Sequence, residues 1–305
     1  MIDVEVAVAA HATIGESPTW SASERALYWI DIKKPALHQY IPESETLRTW
    51  PLTSDVGAFA LCDDDSAIVA LRHGIYHLDL SSGELDLLAP PPFDPRLFRF
   101  NEGICDRTGR FWVGIMFDPV APAPAHQKGH LHSFTFQGGL RCEDDIAELH
   151  NGMAISEDGK QFFLSHSREG SIYRFDFDSA LGGLGGRKDF AQIPAGIGLP
   201  DGAAIDREGC YWCALHGAGR LRRYTPDGNV DREVLLPVSK PTMCAFGGED
   251  LEEMYVTSAA EGIDIAEEPL AGALLRFRPG VKGIARSCNT GAVAKMARVA
   301  KRRID

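Results

Sequence analysis

Short apolar runs recur along the whole chain, each bounded by turns rich in Asp, Glu and Gly. The clearest are "ALYWIDI", "SAIVAL", "RFWVGI", "QFFLSH", "CYWCAL" and "EMYVTS", spaced about 40 to 50 residues apart. Each of these runs is preceded by another short apolar run. The turns "DRTG", "SEDG" and "DREG" between such pairs have the composition of tight hairpins. Further strands follow: "GIYHLDL", "HLHSFTF", "SIYRFDFD", "RLRRYTP" and "ALLRFRP". Several alternate apolar and polar positions, as half-exposed strands do. Helical periodicity is confined to the tail "GAVAKMARVAKRRID", where Val293, Met296, Val299 and Ala300 can share a face. The pattern predicts an all-β fold, a six-bladed β-propeller of four-stranded antiparallel sheets around a central channel. The N-terminal "DVEVAVAA" is expected to complete the last blade beside "ALLRFRP" and so close the ring. Residues 1–285 then form one propeller domain, and 286–305 a basic C-terminal tail that reads as a solvated or frayed end.

Three repeats share one frame. Asn101, Asn151 and Asp201 align, as do Gly109, Gly159 and Gly209, and then Trp112, Phe162 and Trp212. In a propeller the innermost strand of each blade lines the channel, so a polar residue at its start points toward the axis at one mouth. Glu16 takes this position in the first unit. The remaining two units open with Gly57 or Ala58 and with Thr242. Asn or Asp before Gly is a common turn residue taken singly. Glu is a poor turn residue, however, and four polar openers feeding one axis form the oxygen ring that a hard divalent cation requires.

The chain has 305 residues, 44% of them hydrophobic, and a formal net charge of -12. Such acidity is a poor match for nucleic acid. No apolar stretch approaches a membrane span. The N-terminus lacks a basic region ahead of its apolar stretch, so the expected location is cytoplasmic. Seven cysteines are scattered through the chain, and Cys62, Cys105 and Cys244 sit in apolar runs. They are expected as reduced core residues. Cys210 and Cys213 form a CxxC on a strand, where i and i+3 face opposite ways. No G-x-S-x-G nucleophile elbow or phosphate-binding glycine loop is present. His130 and His132 share a strand face with no third ligand in view.

The segments "IGESPTW", "RFNEGICDRTGRFWVG", "HNGMAISEDGK", "LPDGAAIDREGCYW", "CAFGGEDLEEMYVTSA" and "LAGALLRFRPGVKGIA" together resemble the gluconolactonase/senescence marker protein (regucalcin) family over roughly residues 10–285. The resemblance implies one divalent metal in the channel and hydrolysis of sugar lactones. It implies metal ligands at Glu16, Asn151 and Asp201, and substrate contacts from Arg99 and Asn101. It also implies an acidic residue near Asp118, one carbon shorter than the usual Glu. Two positions depart from the family's habit: Glu102 stands where Asp is frequent, and His166 also replaces an Asp. Both exchanges can change substrate choice, and a histidine in place of an Asp can also alter protonation near the site.

The expected activity is therefore that of a carboxylic ester hydrolase (EC 3.1.1 type). A gluconolactone-, arabinonolactone- or xylonolactone-like substrate would be opened to its aldonic acid. Asp201 is expected to be both ligand and general base, and Asp118 to take donors from sugar hydroxyls. All-oxygen ligation suits Ca, Mg or Mn, while Zn or Fe(II) can occupy such a site. The alternatives are a non-catalytic calcium-binding propeller and a metal-dependent esterase of phosphotriesterase type. The Pro-rich stretch 119–130 is expected either as a lid or as a surface excursion.

Overall fold

The computed structural model describes residues 2–285 apart from Asp64 and Pro124. The basic tail and its apolar positions Val293, Met296, Val299 and Ala300 lie outside the described residues. Within them, twenty-four strands, β1 to β24, form six four-stranded antiparallel sheets. Blade 1 holds β2–β5 (residues 15–51), blade 2 β6–β9 (56–89) and blade 3 β10–β13 (98–147). Blade 4 holds β14–β17 (150–192) and blade 5 β18–β21 (199–235). Blade 6 is made of β22, β23 and β24 (241–277) with the N-terminal β1 (Glu5–Val8) on its outer edge. The ring thus closes as expected: β1 pairs antiparallel with β24 (Leu274–Phe277), Glu5 lying opposite Arg276. Apart from strands, the described residues contain one 3-10 turn, Ser167–Glu169.

The core lies between the faces of neighbouring blades. Tyr28, Ile30 and Leu37 of blade 1 pack with Val56, Val69 and Leu78 of blade 2, and the other interfaces repeat the scheme. Indole groups are anchored as well as packed. Trp112 Nε1 donates to Asp106 Oδ2 at 3.1 Å, and Trp212 Nε1 donates to Asp206 Oδ2 at 2.9 Å. In the intervening repeat the same two positions are Ser156 and Phe162, so the acceptor and the buried N–H are absent together. This is the pairing rule for buried polar groups written into a repeat. Asp206 is completely buried and also takes Arg223 at 2.8 Å and the backbone N–H groups of Glu208 and Cys210.

The innermost strands are β2 (Gly15–Ser21), β6 (Val56–Leu61), β10 (Phe98–Cys105), β14 (His150–Ile155), β18 (Leu199–Ile205) and β22 (Pro241–Gly247). All six slip register against their partner strand near the opening residue, at Glu16/Thr19, Val56/Ala58, Asn101/Gly103, Asn151/Ala154, Pro200/Ala203 and Pro241/Cys244. Bulges of this kind bend a strand and re-aim a side chain. In three of them the residue after the opener takes a left-handed conformation: Ser17 at φ 55°, Glu102 at 32° and Gly152 at 62°. The inner strands also approach closely. A Cβ on Gly57 would collide with the Phe100 carbonyl of the next blade.

Cys62, Cys142, Cys210, Cys213 and Cys244 are thiols, the last three buried. Cys105 departs from expectation and is disulfide-bonded. It ends β10 at the channel rim, half-buried, rather than in the core.

Replacing Asp206 by Ala should cost about 3–5 kcal/mol, because Arg223 and the Trp212 N–H lose a buried acceptor. Urea unfolding of the variant against the wild type measures this.

Candidate active site

The channel mouth at the start of the inner strands gathers side chains from five blades. Asn101 Nδ2 donates to Asn151 Oδ1 at 2.5 Å and to the His150 carbonyl at 3.0 Å, joining blades 3 and 4. Arg99 Nη1 donates to Asn101 Oδ1 at 2.7 Å. The far side of Asn151 is fixed by Ser167. The Ser167 hydroxyl donates to the Pro200 carbonyl at 2.7 Å, so its oxygen accepts from Asn151 Nδ2 at 2.9 Å. That leaves no freedom to flip the amide, and Asn151 Oδ1 is held on the Asn101 side. Thr242, the opener of blade 6, donates to the Gly15 carbonyl at 2.5 Å, beside Glu16.

Glu16 and Asp201 are both buried. Burial, followed by the negative charge of Glu102, pushes Glu16 up to about 8; the Ser17 N–H and Arg99 pull the other way. Burial likewise raises Asp201 well above the usual carboxylate range, with Glu16 and then Glu102 adding to it. Three acids from blades 1, 3 and 5 therefore share one field. Arg99, buried and lowered by its desolvation, is the nearby positive charge that acts on both raised carboxyls.

Glu102 is the departure that the sequence exposes without explaining. Its carboxylate accepts the backbone N–H groups of Gly152 and Met153, at 2.7 and 2.5 Å, across the blade boundary. His216 at the end of β19 (Tyr211–His216) was not anticipated either. Its Nδ1 lies 3.5 Å from Asp201 Oδ2, a contact rather than a good hydrogen bond. Burial lowers this imidazole to about 4, so it is neutral at pH 7.

Asp118 is brought to Arg99 but is not an isolated acceptor. Its Oδ2 receives Arg72 at 2.6 Å, Lys33 at 2.7 Å and Arg99 at 3.1 Å. Burial would raise this carboxyl, and Arg99, Lys33 and Arg72 together bring it below its ordinary value. Asp55 shares Lys33 and Arg72 with it.

A second cluster stands behind Asn151. Asp145, on β13 (Gly139–Ala147), accepts His166 Nε2 at 2.7 Å and His150 Nε2 at 3.2 Å on the same oxygen. All three are buried, and their ligand atoms lie within 4.8 Å of one another, close enough to hold a metal ion. The Ile115 N–H points at His150 Nδ1 at 3.4 Å. This favours the tautomer with its proton on Nε2, directed at Asp145. In that tautomer the trio is a His–Asp–His hydrogen-bonded strut; metal ligation through Nε2 needs the other one. Glu169 contacts His166 Nδ1 at 3.4 Å and pairs with Lys128 at 2.6 Å, so the 119–130 loop rests on the turn that carries Ser167. Of this cluster only His166 stood out in the sequence, because Asp145 and His150 converge from two blades with no shared motif.

A six-bladed propeller with buried acids and amides at one channel mouth defines a class, and the comparisons specify it. Residues 14–260 match the family model described as the SMP-30/gluconolactonase/LRE-like region, and the chain belongs to that family. It is 37% identical over 278 residues to 6-deoxy-6-sulfogluconolactonase of Pseudomonas putida, covering 90% of this chain and 94% of the relative. It is 32% identical over 277 residues to regucalcin of Gallus gallus, covering 89% and 93%. A solved structure of a calcium-binding protein, regucalcin from Agrobacterium tumefaciens, superimposes with a TM-score of 0.86 at 25% identity, covering 93% of this chain and 96% of that one.

Burial alone would raise Asp145, but hydrogen bonds from His150 and His166 hold it well below its ordinary value of 3.8. The folded protein thus binds this proton more weakly than the unfolded chain. The resulting stability is whole above about pH 4 and is lost as pH falls through the folded-state value. Urea midpoints between pH 2 and 6 should fall more steeply for the wild type than for Asp145→Asn.

Proposed function

We propose that the protein is a divalent-metal-dependent lactonase that opens a sugar aldonolactone to the aldonic acid. The observation that carries the proposal is the buried pair Glu16 and Asp201: burial raises the proton affinity of both, Glu102 adds to each, and Glu16 adds further to Asp201. Two carboxylates buried together without compensation are unstable, and a cation resolves the conflict. The donor set fits one: Glu16 and Asp201 with the Asn151 amide oxygen, whose orientation is already locked through Ser167. We assign these three as ligands. Their hard oxygens favour calcium, magnesium or manganese, with zinc or Fe(II) also accommodated.

When bound, the ion supplies Lewis-acid polarisation of the lactone carbonyl. The chain's own groups do the rest. Asp201 is assigned as general base, since one carboxylate oxygen can hold the ion while the other accepts a proton from water. Neutral His216 lies 3.5 Å from Asp201 Oδ2. Asn101 orients a substrate hydroxyl. Arg99 keeps one donor, Nη2, on the Met116 sulfur at 3.1 Å. A thioether is a weak acceptor, so this donor is readily exchanged for a sugar oxygen or the developing oxyanion. Asp118 receives its three cations on Oδ2, which leaves Oδ1 to accept a sugar hydroxyl.

Gluconolactone-, arabinonolactone- and xylonolactone-like rings fit this polar lining. The name of the Pseudomonas putida relative adds a 6-sulfonated gluconolactone to the candidates. The polar residues weigh against a phosphotriesterase-type esterase, which would want an apolar pocket. A calcium-binding protein without turnover is the second reading, favoured by the description of the Agrobacterium relative; it predicts binding with no hydrolysis of any lactone.

Metal-free protein at pH 7 carries a proton on Glu16, so adding calcium or manganese should release protons. The release should shrink as pH rises past about 8 and should be reduced in Glu16→Gln. Titration calorimetry in buffers of different ionisation enthalpy reads it. Ser167→Ala should weaken metal binding by about 10–100-fold, the cost typical of losing an orienting partner. Asp201→Asn should lower turnover of the preferred aldonolactone by about 10²–10⁴-fold with the fold intact, measured by proton release from a lactone panel. Wild-type rates in that variant would remove Asp201 from its role.

A further inference from the structure

Asn151 opens a bulge that takes backbone groups out of the strand ladder. On β14, Asn151 faces Ser165 and Ala154 faces Phe163, so Gly152 and Met153 together oppose only Leu164. Both residues are buried, and their N–H groups must find acceptors elsewhere. The same slip occurs beside Glu16 and Asp201, and there it is settled locally. Glu16 Oε2 accepts the Ser17 N–H at 3.1 Å, and the next residue, Pro18, has no N–H to place. Asp201 likewise accepts from the backbone of Gly202. In both blades the opening carboxylate serves its own bulge.

Asn151 does not do this. Its Oδ1 accepts from Asn101, and its Nδ2 is committed to Ser167. The acceptor comes instead from the neighbouring blade. Glu102 takes the Gly152 N–H on Oε2 at 2.7 Å and the Met153 N–H on Oε1 at 2.5 Å, so one carboxylate spans the bulge with both oxygens. Blade 5 closes the other side. The Tyr211 hydroxyl donates to the Gly152 carbonyl at 2.8 Å. A Cβ on Gly152 would collide with the Ser165 and Tyr211 hydroxyls. The peptide between Gly152 and Met153 is therefore held by its N–H from blade 3 and by its carbonyl from blade 5. Glu102 and Tyr211 are both buried. Glu102 holds φ at 32°, a left-handed conformation that a residue with a side chain keeps only where its surroundings fix it.

We propose that Glu102 and Tyr211 are positioning residues for Asn151: they fix the bulge from which its amide is aimed at the ion. The inference rests on the assignment of Glu16, Asn151 and Asp201 as ligands. Ser167 sets the rotation of the Asn151 side chain, whereas Glu102 and Tyr211 set the backbone that carries it. Position 102 thereby gains a reason of reach. An Asp there, one methylene shorter, keeps the charge but does not span both N–H groups of the next blade.

The test is a double-mutant cycle, read by calorimetric titration of the metal-free full chain with manganese alone. Glu102→Asp should weaken binding by about 10–100-fold, the loss typical of an orienting partner, with the formal charge of the site unchanged. Asn151→Ala should weaken it by removing the ligand. Added to Asn151→Ala, Glu102→Asp should cost no more than about twofold, because the group it orients is gone. A general structural role predicts the same loss in both backgrounds, and that result would overturn the proposal. Wild-type affinity in Glu102→Asp would do so too. Tyr211→Phe removes a single hydroxyl and decides the matter if Glu102→Asp does not fold. It should weaken manganese binding by roughly two- to tenfold, and only while Asn151 is present; an unchanged affinity would count against the clamp. Absence of manganese binding in the wild type is a different failure, which removes the ligand assignment and this inference with it.

Discussion

Like charges crowded out of water are the constraint around which one end of this molecule is organised. Glu16, Glu102 and Asp201 come from three blades and share one field; Glu102 accepts two backbone N–H groups, whereas Glu16 and Asp201 each have one, from Ser17 and Gly202. Those two are left with raised proton affinity. A protein keeps such a pair in place through rigidity supplied elsewhere. Here it comes from six inner strands packed side by side, each with a bulge at the same level. The bulges bend each inner strand at its opening residue. The strain they require is visible at Ser17 and Glu102, which hold left-handed conformations without being glycine.

The surrounding network divides orientation from chemistry. Ser167 fixes the Asn151 amide, Asn101 and Arg99 extend that order across two blades, and Asp118 ties Arg99 to Lys33 and Arg72. The His150–Asp145–His166 strut stands behind Asn151, and through Glu169 and Lys128 it connects this end of the channel to the 119–130 loop. Apart from the exposed Glu169–Lys128 pair and the longer His166–Glu169 contact, the links are short and join buried or half-buried groups, so displacement of one link is felt by the next.

Much of this could be read from residue order, for a physical reason. A propeller repeats one supersecondary unit, so a frame that aligns Asn101, Asn151 and Asp201, and Trp112 with Trp212, is a direct image of the architecture. Closure by the N-terminal strand was legible because "ALLRFRP" had no fourth partner downstream. What escaped is what depends on neighbours from different blades. Glu102 looked like an altered specificity residue, yet its carboxylate caps the next blade's backbone. Asp118 looked like a lone acceptor, yet three cations occupy one of its oxygens. Asp145 lies in no motif, and His150 opens "HNGM" with nothing in that motif to tie it to Asp145, because strands of two blades bring them together; His216 is an ordinary strand end until Asp201 is seen beside it. Cys105 read as a core thiol because its apolar neighbours in sequence hide its place on the rim.

The central claim is that side chains from blades 1, 4 and 5 hold one ion at the channel mouth. Anomalous diffraction from crystals soaked in manganese tests it most directly. A single strong peak is expected within about 2.0–2.6 Å of oxygens from Glu16, Asn151 and Asp201, absent in Asp201→Asn. A peak held instead by Asp145, His150 and His166, or no bound ion at millimolar manganese, would contradict it.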